Sequence, residues 1–143
     1  MNKVNTVRIN EEKPTHILLV DDDILLLDTI KKLLEVMGYI VISATGSIEA
    51  IDLMKRSKFD VVITDYSMPD MNGIEMVIKA KKILAGIPKI LYTGRIDLIT
   101  EKQITEAGID EIVRKPCRIS RLDSIIKKVM GHEDLLITQS IEM

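Results

Sequence analysis

Short apolar runs alternate with segments of helical periodicity along most of this chain, and four of the runs end on a polar residue. His16-Ile17-Leu18-Leu19-Val20 leads into Asp21-Asp22-Asp23, and Val61-Val62-Ile63-Thr64 leads into Asp65. Ile87-Pro88-Lys89-Ile90-Leu91-Tyr92 leads into Thr93, and Ile109-Asp110-Glu111-Ile112-Val113-Arg114 leads into Lys115-Pro116. Runs of this length that are mostly apolar, rather than alternating, are strands buried on both faces, which is the condition of a parallel sheet. The pattern predicts strands over 16–20, 39–43, 60–64, 88–92 and 109–114. It predicts helices over 23–37, 47–57, 73–84, 97–107 and 119–130. Gly38, Gly108 and Gly131 stand where helix-ending glycines belong, and Ser47 is a candidate N-cap. Right-handed crossovers then favour a flavodoxin-like, doubly wound α/β sheet in the order 2-1-3-4-5, with five helices on its two faces. Ligands of such a sheet bind beyond the carboxyl ends of the strands. The polar residues ending the runs would therefore meet at one edge, an inventory that suits a divalent cation and a phosphoryl group on a carboxylate.

The length of 143 residues fits one domain with a sizeable core. We place that domain over residues 15–131, with an arm or linker remnant over 1–14 and a tail over 132–143. Aromatics are few, only Tyr39, Phe59, Tyr66 and Tyr92, and the net charge is −2 without a basic block. Direct nucleic-acid binding is therefore not expected. No apolar run is long enough for a membrane span, and the single cysteine, Cys117, points to a cytoplasmic chain. His16 and His132 lack partners at ligand spacing and read as structural or surface residues.

Three further stretches join the first: Asp65-Tyr66-Ser67-Met68-Pro69-Asp70-Met71-Asn72-Gly73, Tyr92-Thr93-Gly94 and Val113-Arg114-Lys115-Pro116. With Ile17-Leu18-Leu19-Val20-Asp21-Asp22-Asp23, they resemble, in order and on the right elements, the receiver domain of two-component response regulators. The resemblance covers roughly 14–131. It implies that Asp65 accepts a phosphoryl group from a histidine kinase or phosphotransfer protein, switching the surface offered to a downstream protein. It implies Mg²⁺ held directly by Asp22 and Asp65, with Asp21 acting through water or supporting the shell and Ser67 lending its backbone carbonyl. Thr93 and Lys115 would contact the phosphoryl oxygens, and Gly94 would leave space beside them. Asp23 would begin the first helix, and Lys115-Pro116 would be cis. The output surface would be the fourth helix, fifth strand and fifth helix.

The chain departs from the family pattern at Ile112, where receivers usually carry Tyr or Phe as a rotamer switch. A β-branched aliphatic cannot make the same ring movement. Ser67 and Arg95, two residues beyond Asp65 and Thr93, would flank the path of hydrolytic water and set the phosphoryl lifetime. Such a module, not an enzyme on other substrates, would be a stand-alone regulator or the terminal receiver of a hybrid kinase. An alternative from another class is a haloacid-dehalogenase-type phosphohydrolase using Asp21, Asp23, Thr93 and Lys115. It would leave Asp65 and the loop to Gly73 without a role.

Overall fold

Successive residues of a strand point to opposite faces of its sheet, and β1 (His16–Val20) shows this directly. Ile17 and Leu19 enter one apolar cluster and Leu18 and Val20 another, all at most 2% exposed. The computed structural model describes residues 13–131, so most of the expected arm and the whole tail, with His132, lie outside the described residues. Within it, β1 is followed by α1 (Ile24–Val36), β2 (Ile40–Ala44), α2 (Ser47–Arg56), β3 (Val61–Thr64) and α3 (Gly73–Lys79). Then come β4 (Lys89–Thr93), a 3₁₀ turn (Ile96–Leu98), α4 (Glu101–Ala107), β5 (Glu111–Arg114) and α5 (Ile119–Val129). All four strand pairings are parallel and the order is β2-β1-β3-β4-β5, as the pattern predicts.

Ile17, Leu19, Ile63, Ile90 and Tyr92 pack with Leu27, Ile30 and Leu34 of α1 and with Leu122, Ile125 and Ile126 of α5. Leu18, Val20, Val62 and Leu91 pack on the other face with residues of α2, α3 and α4. The register fixes the site. Val20 lies opposite Thr64, so Asp21 and Asp65 leave their strands at the same level. The amide of Asp65 donates to the Val20 carbonyl at 3.0 Å, which prolongs that pairing by one step.

Three helix ends differ from expectation. Ser47 is not an N-cap: Gly46 holds that position and no cap side chain comes from α2's own start. The third helix stops at Lys79 rather than 84. From Ala80 the chain turns irregularly, Lys81 donating to Ile78 and Leu84 to Ala80, yet Leu84 still reaches the core at 1% exposure. The fourth helix starts at Glu101, because Thr100 and Gln103 form a reciprocal capping box that closes it there. Asp23 caps α1 as expected, accepting from the Leu26 amide at 3.2 Å, and Lys115-Pro116 is cis.

Leu122 is wholly buried between α5 and the sheet, whereas Leu25 on α1 is 82% exposed. Leu122→Ala should lower unfolding free energy by about 2–5 kcal/mol in urea titration, and Leu25→Ala by less than about 0.5 kcal/mol.

Candidate functional site

The carboxyl edge of the sheet gathers the acids and the lysine. Asp21 follows β1 and is 5% exposed; Asp65 follows β3 and is 8% exposed. An unpaired carboxylate at that depth is unfavourable. Lys115, following β5, supplies the counter-charge. Its Nζ lies 2.6 Å from Asp21 Oδ2 and 3.1 Å from Asp65 Oδ2, and 5.4 Å from the centre of the Tyr92 ring. The Lys115 amide donates to the Thr93 carbonyl at 2.9 Å, which extends the β4–β5 pairing.

The other oxygens of the two acids accept amides: Asp21 Oδ1 from Asp23 at 2.9 Å and Asp65 Oδ1 from Tyr66 at 2.7 Å. Burial raises the Asp21 carboxyl above its ordinary value, outweighing Lys115 and the Asp23 amide. At Lys115 burial works against the charge, but bonds to Asp21 and the fields of both acids outweigh it and hold the ammonium above the usual lysine value. Asp21 and Lys115 thus both move upward, which a lone ion pair would not do. Two acids act on the lysine, whereas at Asp21 desolvation is the largest single effect.

Asp22 is exposed beside the buried pair. One ligand oxygen from each of Asp21, Asp22 and Asp65 falls within 4.8 Å of the others, a set of hard oxygen donors suited to a small divalent cation. Thr93 is fully buried, and its hydroxyl accepts the Arg95 amide at 3.1 Å. The Arg95 guanidinium turns to Asp97, at 3.4 Å from Nε. Ser67 is exposed in the loop after Asp65. Ile112 is half-buried against the α2–α4 side of the core. The space beside Gly94 is not strictly needed, since a Cβ there would meet only Lys115 Cβ at 4.0 Å. Gly73 is different: a Cβ would stand 2.1 Å from the Asp65 carbonyl oxygen, so only glycine lets α3 begin that close to the acid.

The sequence reading missed Ser47 and Asp70 as residues tied to this site. Ser47 is buried and donates its hydroxyl to the Met71 carbonyl at 2.7 Å, while Asp70 accepts the Ser47 and Ile48 amides at 3.2 and 3.0 Å. No local signal announces a contact between residues 22 to 24 positions apart.

The response regulator receiver domain model matches residues 17–127. The transcriptional regulatory protein GlrR of Escherichia coli (strain K12) is 34% identical over 104 residues, covering 73% of this chain. This chain spans only 23% of GlrR's length. A CheY-like response regulator receiver domain protein from Methanospirillum hungatei JF-1 superposes with a TM-score of 0.77 at 31% identity, covering 85% of this chain and 98% of that one. The response regulator protein TrrA from Thermotoga maritima, solved in complex with Mg²⁺-BeF, does so at 0.73 and 27% identity, covering 80% and 97%. These matches give the phosphohydrolase alternative no support. Its second acid, Asp23, is occupied as the α1 cap, while Asp65 lies at the centre of the acid set.

A carboxyl raised in the folded chain contributes most below its unfolded value, 3.8, and loses that contribution as pH climbs through the folded value. At neutral pH, above the folded value, that contribution is absent. Asp21→Asn should raise the urea midpoint at pH 7 in magnesium-free buffer, and the gain should shrink as pH falls toward 3.8. An unchanged or lower midpoint at pH 7 would mean that the lost bond to Lys115 dominates.

Proposed function

The chain belongs to the response regulator receiver family, a module of two-component signalling, and on that premise we propose that it accepts a phosphoryl group on Asp65 in a phosphorelay. The observation that carries this reading is the placement of Asp65 within the Asp21–Asp22 acid set while Lys115 bonds its carboxylate. Asp65 attacks the phosphorus of a phosphohistidine on a histidine kinase or phosphotransfer protein. The new bond is P–O, the P–N bond breaks, and the imidazole leaves with a proton from solvent.

The donor set fits Mg²⁺, with Asp22 and Asp65 as direct ligands, Asp21 through water, and the Ser67 carbonyl completing the protein's share. When bound, the cation neutralises charge on the incoming phosphoryl oxygens. Lys115 neutralises charge from the other side, and Thr93 turns its hydroxyl from the Arg95 amide toward a phosphoryl oxygen. Ser67 and Arg95 flank the approach of water and set the lifetime of the acyl phosphate. The chain's own chemistry ends at this self-modification.

The output face comprises α4, β5 and α5. Thr93 and Lys115 lie on or beside strands supporting it, and Ile112, Arg114, Pro116, Arg118 and Arg121 line a groove there. The partner is a downstream protein, not nucleic acid. We place the module in the cytoplasm; among the described residues no helix is long and apolar enough to cross a membrane. We place the receiver unit over residues 15–131.

Treatment with acetyl phosphate and Mg²⁺ should add the mass of one phosphoryl group, and Asp65→Asn should abolish the gain. A label that persists in that variant sinks the assignment. Asp22→Ala should weaken Mg²⁺ binding at least about tenfold by NMR titration and suppress labelling. Ile112→Tyr should leave labelling intact and enlarge amide shifts over α4 and β5 on beryllofluoride activation, because a ring that moves inward buries more area than isoleucine.

A further inference from the structure

In the loop between β3 and α3, Ser67, Pro69 and Asp70 are exposed while Met68 is buried in the core, and the far half is fastened to another helix. Asp70 Oδ1 accepts the Ser47 amide at 3.2 Å and Oδ2 accepts the Ile48 amide at 3.0 Å, so a loop carboxylate caps the start of α2. The same carboxylate accepts the Met71 amide at 2.9 Å. Ser47, wholly buried, returns a bond from its hydroxyl to the Met71 carbonyl at 2.7 Å. Gly46 makes the room: a Cβ there would stand 3.0 Å from Asp70 Oδ2, although its φ of −170° is extended backbone that any residue adopts. The Ile48 amide leads the effects that hold the Asp70 carboxyl below its ordinary value.

The loop's other end is fixed independently. The Gly73 amide donates to the Tyr66 carbonyl at 2.8 Å, and Thr64 donates its hydroxyl to the Asp65 carbonyl at 2.9 Å. Between these anchors lies Ser67, a ligand only through its backbone. A side-chain ligand can rotate to meet a cation; a carbonyl ligand is placed by its loop alone. An untethered loop would have to surrender conformational freedom on each binding event, and a tether removes that cost beforehand.

We propose that Asp70 is a positioning residue of the Mg²⁺ site: by fastening loop 66–72 to the first amides of α2, it sets the Ser67 carbonyl for the cation. The inference rests on the reading of the acid set as a Mg²⁺ site. It couples cation affinity to the start of a helix that contributes no ligand.

The test separates this role from mere capping. Glu49 also serves the start of α2, accepting the Thr45 amide at 2.8 Å, but does not touch the loop. Mg²⁺ dissociation constants of the full chain by NMR titration, and amide hydrogen exchange without metal, are compared for Asp70→Ala, Asp70→Asn, Gly46→Ala and Glu49→Ala. Asp70→Ala should weaken Mg²⁺ binding about tenfold, the lower end for residues that support ligands, and speed exchange over 66–73. Asp70→Asn, which keeps an acceptor oxygen, should recover part of both, and Gly46→Ala should act in the same direction. Glu49→Ala should lower thermal stability yet keep wild-type Mg²⁺ affinity within about twofold, since its contact is remote from the loop. Wild-type affinity in Asp70→Ala, or equal weakening in Glu49→Ala, overturns the proposal. Unchanged metal-free exchange over 66–73 in Asp70→Ala also overturns it. Failure of the wild type to bind Mg²⁺ while Asp70→Ala speeds loop exchange sinks the metal-site reading and leaves the tether standing.

Discussion

Two buried carboxylates can share one edge of this sheet because one ammonium stands between them. Asp21 and Asp65 are each less than a tenth exposed, and Lys115 bonds both. Each side chain comes from the end of a different strand, so the triad exists only when β1, β3 and β5 are in register. The electrostatics are therefore a readout of the topology. The arrangement is also unsatisfied: Asp22 adds a third acid that Lys115 does not bond, leaving net negative charge. A site built this way favours cations and disfavours a naked phosphoryl donor until one is bound.

Strand identity and order were legible because buried parallel strands are continuous apolar runs, a signal that needs no knowledge of the rest of the chain. Asp21, Asp65, Thr93 and Lys115 were legible for the same reason: a polar residue ending such a run must lie at the sheet edge. Helix periodicity was a poorer guide to burial. Ile24 and Ile48 match an apolar pattern at helical spacing yet are at least 65% exposed.

Helix boundaries failed in two distinct ways. The start of α4 is written locally, in the Thr100 and Gln103 capping box, which apolar periodicity alone does not detect. The cap of α2 was not written locally at all. Ser47 has the right chemistry at the right place, but its hydroxyl bonds Met71 while Asp70 does the capping from the next loop. A short polar side chain near a helix start has several possible acceptors, and only tertiary packing decides among them. The same blindness hid Asp70, whose partners lie more than twenty residues upstream.

The α5 helix closes one face of the sheet, and it is the last element described. Leu122, Ile125 and Ile126 cover residues from β1, β3 and β4 together with α1, and the Asp123 carboxylate accepts the Tyr39 hydroxyl across 84 positions. During synthesis the opposite face, covered by α2, α3 and α4, has its apolar partners available as soon as β4 and α4 emerge. The α1 face has only the cover that α1 provides until the ribosome releases α5 with Leu122, Ile125 and Ile126. The two faces of one sheet thus mature at different times. A nascent chain stalled before Ile119 would hold a half-roofed sheet that invites chaperones or a neighbouring chain.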